Sequence, residues 1–250
     1  MKLLKSIQAE WLKSKKSIII WLLIFGSLAI NLVVLFIYLF AQESIITLYT
    51  NPWESFIGRN LKSFTLFFWV PFLIILTSAF INIEHKANNW KSLFTLPVLS
   101  KTILRSKLII LIAFTIGVLL VYLVSLFLFP VIINLIHPEY EFFLSSVNFL
   151  EIILAFIKLF FLSLGIISIQ FILSLFFKNQ IISIGIGFVL FIIGFIVNIQ
   201  DIHLSNYFPY SFPSFFDTEF VWTSYSISIA LFIISIMFIS SRKTVVLVND

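Results

Sequence analysis

Residues 150–199 read LEIILAFIKLFFLSLGIISIQFILSLFFKNQIISIGIGFVLFIIGFIVNI, two long apolar runs separated only by Lys178-Asn179-Gln180. A helix rises about 1.5 Å per residue, so a run of about 20 apolar residues crosses the hydrocarbon core of a bilayer with every backbone polar group bonded internally. The two runs therefore read as membrane-crossing helices joined by a short turn. The same pattern recurs on either side, and spans are expected at about 17–41, 64–83, 103–133, 150–177, 181–199 and 220–240. Pro71 should locally unwind the second span, and Pro130 should end or bend the third.

Composition agrees with this reading. Hydrophobic residues make up 61% of the 250 and charged residues 11%, with a mean hydropathy of +1.14. A soluble core of this size could not hide so much apolar surface. The net charge of +5 would suggest nucleic acid in a soluble chain, but here the bases flank the spans, and no nucleic-acid partner is expected. Cysteine is absent, which removes disulfides and thiolate chemistry.

The bases alternate between connections. Lys2, Lys5, Lys13, Lys15 and Lys16 precede the first span; Lys86, Lys91, Lys101, Arg105 and Lys107 follow the second; Lys178 marks the next turn and Arg242 and Lys243 the tail. The other connections carry Glu43, Glu54, Glu139, Glu141, Asp201, Asp217 and Glu219, with only Arg59 and Lys62 as strong bases. By the positive-inside rule both termini are cytoplasmic, as an even number of spans requires. Trp21, Trp53 and Trp222 fall near span ends, where indole rings favour the headgroups. The first apolar run is too long for a signal peptide and lacks a small-x-small cleavage pattern, so it is expected to remain in the mature chain.

Two segments outside the spans carry patterns of their own. If residues 2–16 are helical, Leu3, Leu4, Ile7 and Trp11 share one face while Lys2, Lys5, Ser6 and Lys13 lie elsewhere. Both an interfacial helix and a plain basic flank fit this arrangement. Between the second and third spans, Trp90, Leu93, Phe94 and Pro97 have helical spacing within residues 84–101. That ridge suits a partner's groove, and equally an anchor in the headgroups.

The stretch from Glu84 through Asn89-Trp90-Lys91 and Thr95-Leu96-Pro97 to Ser100-Lys101, with the amphipathic start and the six-span plan, resembles the ABC-2-type permeases, especially the lantibiotic-immunity and bacitracin-resistance-like subunits. The resemblance implies an all-α polytopic membrane protein, a single transmembrane domain over 1–250. It also implies an interfacial helix at 1–16, a cytoplasmic coupling helix within 84–101 and a short extracellular re-entrant element at 200–219. It further implies a second permease copy or a paralogue, a separate ABC ATPase that binds ATP and Mg, and export of an amphipathic substrate such as an antimicrobial peptide. Glu84, Asn89, Trp90, Lys91, Phe94 and Pro97 would then carry coupling to the ATPase.

Missing motifs sharpen the expectation. No G-x-x-x-x-G-K-[ST] occurs, so this chain builds no P-loop and is not expected to be an enzyme or to hold a cofactor itself. His85, His137 and His203 are scattered, and no metal site is expected. Within the spans, apart from Arg105 and Lys107 at the start of the third, the charges are Glu151 and Lys158, seven residues apart on one face of span four, which leaves no carboxylate relay for ion-coupled transport. Ser163, Gln170 and Ser174 fall within about 40° of one another around span four at 100° per residue. That face fits either helix packing or a substrate path. Ser183, Gly185 and Gly187 bring small residues to span five, for packing or a dimer seam. A scaffold or sensor subunit that recruits a cytoplasmic partner is the alternative function.

Overall fold

The computed structural model describes residues 2–15, 19–40, 51–86, 99–200, 203–215 and 222–240. Among them every regular element is helical, and six helices are long and apolar enough to cross a membrane. The N-terminal helix is Lys2–Lys15. Span one is Ile19–Phe40, span three Ser100–Ile136, span four Phe149–Phe176, span five Gln180–Ile199 and span six Trp222–Ser240.

Span two departs most from expectation. It starts at Pro52 rather than near residue 64, as an α-helix Pro52–Ser63, then a π-helical stretch Phe64–Trp69, then an α-helix Val70–Lys86. Asn51 caps its start by accepting from the Trp53 backbone N–H at 3.0 Å, and Pro52 occupies the first helical position, where no N–H is needed. The unwinding expected at Pro71 takes the form of the π-helical turn before it. Proline offers no N–H and crowds the preceding carbonyls, and a wider turn relieves both.

Pro130 does not end span three, which continues to Ile136. At about 1.5 Å per residue, its 37 residues extend about 55 Å, well beyond a hydrocarbon core of about 30 Å. Asn148 and Asn179 cap spans four and five, accepting from Glu151 N and Ile181 N. Between spans five and six, His203–Tyr207 and Pro209–Phe215 form 3₁₀ turns.

Contacts sort these ends onto two faces. One face gathers Trp53, whose Nε1 donates to the Phe142 carbonyl at 2.7 Å, and Asn51, whose Nδ2 donates to the Ser146 carbonyl. Trp53 is thus buried against the chain, whereas Trp222 is 74% exposed. The opposite face joins the N-terminal helix to the start of span three, and Arg105 there donates to Ser240 at the end of span six. The alternation of bases along the sequence therefore becomes a segregation in space.

The core between spans is aromatic. Trp69 is fully buried, Phe64 stacks on Tyr122 at 3.9 Å between ring centres, and Phe80 meets Phe114 edge-on. Asn31 of span one donates from Nδ2 to the Tyr122 carbonyl and to Ser125 of span three, which ties the two spans together deep in the packing, while its Oδ1 is buried without a hydrogen-bond partner among the described residues.

Candidate coupling site

Glu84 lies in the last turn of span two, three residues before residue 87, and its side chain is fully buried. It belongs to the helix rather than to a loop, which moves the expected start of the 84–101 segment. Asn89, Trp90, Lys91, Phe94 and Pro97 lie outside the described residues. What the structure adds is the company Glu84 keeps. Its Oε1 accepts from Lys13 Nζ at 2.9 Å and from Lys107 Nζ at 3.0 Å. Lys107 also donates to Glu10 Oε2 at 2.6 Å, and Lys13 reaches Glu10 Oε1 at 3.4 Å.

Two carboxylates and two ammonium groups thus alternate around a closed ring that joins the N-terminal helix to spans two and three. Burial makes each charge expensive, and alternation is what makes the group tolerable: every carboxylate faces an ammonium, and the four charges cancel. Lys107 is 1% exposed and also sits 5.2 Å over the face of Phe80. Burial opposes the charged form of Lys13, but hydrogen bonds and attraction from Glu84 and Glu10 outweigh it and raise its pKa above the ordinary value.

The N-terminal helix is positioned for this by its own periodicity. Ser6, Glu10 and Lys13 recur at helical spacing and face spans two and three: Ser6 Oγ lies 2.8 Å from Ser106 Oγ, Glu10 meets Lys107 and Lys13 meets Glu84. Leu4, Trp11 and Leu12 are left exposed. Ile7 and Trp11 nonetheless touch the core, Trp11 meeting Phe114 at 5.6 Å between ring centres, so the docking side combines the polar arc with the inner edge of the apolar one, and Leu4 and Leu12 face outward. Neither Glu10 nor Lys107 stood out in the sequence as a site residue. One signal was there: Glu10 is the only acid before Glu43, amid five lysines.

A second polar cluster lies farther along span two. Gln170 Nε2 donates to Ser78 Oγ at 2.8 Å and to the Ser183 carbonyl at 3.0 Å, and Tyr210 OH donates to Gln170 Oε1. Ser174 Oγ lies 2.8 Å from Ser183 Oγ, and a Cβ on Gly187 would stand 2.6 Å from Gln170 Oε1. Gln170, Ser174, Ser183 and Gly187 are thus brought together, with Ser78 and Tyr210 as members that the sequence did not single out. Ser163 stands apart and accepts from Trp69 Nε1 at 2.7 Å. These side chains are buried and spend their hydrogen bonds on one another, so the cluster packs spans two, four and five within one chain. The seam at Ser183 and Gly187 is internal, and of that trio only Gly185 faces outward, into open space. Glu151 and Lys158 do not pair with each other; Glu151 instead accepts from Asn148 Nδ2. Among the described residues no group of His, Asp and Glu could hold a metal ion.

Residues 6–194 match the family described as ABC-2 family transporter protein. The chain belongs to the ABC-2 transporter family. The match begins in the N-terminal helix and runs into span five, so all four members of the ionic ring and most of the polar cluster fall inside it. Membership makes this ABC-2 chain a membrane-spanning transporter subunit whose partner is an ABC ATPase. Comparison with curated proteins and with solved structures returned no match.

Proposed function

We propose that this ABC-2 subunit is the permease half of an exporter that moves an amphipathic peptide outward, in a role resembling that of lantibiotic-immunity permeases. It pairs with a second copy or a paralogue, and its basic face is cytoplasmic. The partner ATPase binds ATP and its Mg there and docks on residues 87–98 through Trp90, Lys91 and Phe94.

The observation that carries this reading is the buried ring of Glu10, Lys13, Glu84 and Lys107 beside the point where span two gives way to that segment. A push on residues 87–98 reaches Glu84 first. Through Lys107 and Lys13 it passes to span three and the N-terminal helix, and through the cluster at Ser78 and Gln170 to spans four and five. Spans two to five then move as one body, and the motion appears as rocking of one permease half against the other. The amphipathic cargo is supported by the predominantly apolar spans, whose few charges form no carboxylate relay, since such a ligand needs few charged partners.

The test is substrate-stimulated ATP hydrolysis by the assembled complex. Trp90→Ala is expected to abolish stimulation while the subunit still inserts and co-purifies with the ATPase. Stimulation equal to wild type would overturn the coupling role, and an ATPase that co-purifies without any substrate response in the wild type would favour a scaffold or sensor instead.

A further inference from the structure

On the face opposite the ionic ring, the first helix of span two and the start of span four stand apart around a cleft of about 930 Å³. That lies at the upper end of the roughly 300–1,000 Å³ typical of small-molecule sites. Glu54, Gly58 and Lys62 line it at four-residue intervals and so share one helix face. Gly58 leaves that face bare, since no described atom lies within 4 Å of where its Cβ would be. Ile152 and Ala155 of span four and Leu61 and Leu66 of span two supply apolar wall.

Charge is graded along this cleft. Glu54 and Glu151 both sit in the first turns of their helices, at the outer mouth. Neither makes an ion pair among the described residues. Lys62 lies eight residues beyond Glu54, about 12 Å deeper at the rise of a helix, too far to neutralise the mouth. It also disfavours a second cation at depth. The complementary ligand has one cationic end and an apolar body.

We propose that the cleft binds a cationic amphiphile, with its ammonium between Glu54 and Glu151 and its apolar chain laid over Gly58 toward Leu61 and Ile152. This extends the export reading by giving the cargo a binding place, but binding here needs neither ATP nor the ATPase, so either can fail without the other.

The experiment uses the full chain in phosphatidylcholine nanodiscs and a dodecylammonium probe carrying a dansyl group, with its N-acetylated neutral analogue, followed by fluorescence anisotropy. The wild type is expected to bind the cationic probe saturably and more tightly than the neutral one. Glu54→Gln with Glu151→Gln should weaken the cationic probe about tenfold, the loss of charge-assisted contacts, and leave the neutral one unchanged. Gly58→Trp, which fills the cleft, should remove saturable binding of both, while Gly58→Ala keeps it. Should Gly58→Trp fail to give monodisperse helical protein, the isosteric glutamine pair decides alone. Equal affinity for both probes, no saturable binding by the wild type, or unchanged binding in the glutamine pair would overturn the proposal. So would a change of oligomeric state in Gly58→Trp without probe binding by the wild type, which would make the cleft a contact between copies.

Discussion

Lys107→Met tests the ionic ring most directly, because the ring has one member that neither solvent nor a spare partner can replace. Lys107 is 1% exposed and faces both Glu10 and Glu84 at 3.0 Å or less. Methionine fills a similar volume but leaves two buried carboxylates sharing only Lys13, whose side chain is 35% exposed. Removing one partner from a buried ion pair typically costs about 3–5 kcal/mol, because the remaining charge is uncompensated. Lys13→Met removes a better solvated charge, and less than about 1 kcal/mol is expected from it. The assay is backbone hydrogen exchange of residues 2–15 in the purified subunit. A loss of about 3 kcal/mol corresponds to about two orders of magnitude in the opening equilibrium. The double variant Lys107→Met with Glu84→Gln restores neutrality, so its penalty should be smaller than the sum of the two single penalties. Unchanged exchange in Lys107→Met, or a double variant as bad as that sum, would refute the reasoning that charge balance holds the N-terminal helix.

Two further outcomes follow from the same structure. Because Lys13 has its pKa raised above the ordinary 10.5 in the folded chain, its contribution is complete below that value and is lost as pH rises through the raised one; the protection factors of residues 2–15, which correct for base-catalysed intrinsic exchange, should therefore be flat around neutrality and fall only above about pH 10.5. Gly58→Ala should raise helix stability by about 0.5–1 kcal/mol, whereas Gly194→Ala, whose Cβ would stand 2.9 Å from the Tyr210 carbonyl carbon, should cost about 1–3 kcal/mol; thermal unfolding in detergent separates the two signs.

How much of this was legible differs by element. Span four was expected at 150–177 and runs Phe149–Phe176, and span five was expected at 181–199 and runs Gln180–Ile199, because apolar length alone sets such helices. The helix Pro52–Ser63 was read as connection, since Glu54, Arg59 and Lys62 break its apolar pattern. Asn51-Pro52 followed by Glu54 was nonetheless a start signal in plain view. The face of Ser163, Gln170 and Ser174 was visible from angular spacing, but Ser78, a single serine in an apolar run, gave no hint that it would complete the cluster. The ionic ring was the least legible. Counting bases for orientation treats Lys107 like Lys101, yet one is buried and the other is exposed, and only the docking of a distant helix separates them.

The ring also fixes an order of biogenesis. Of the ring's members, a nascent chain that has released only spans one and two carries Glu10, Lys13 and Glu84, two carboxylates to one ammonium, and the second ammonium leaves the ribosome only with Lys107. The N-terminal helix, though translated first, can settle only once the third crossing has been threaded. A polypeptide halted between residues 86 and 107 would display that unmatched carboxylate to the membrane's quality-control proteases.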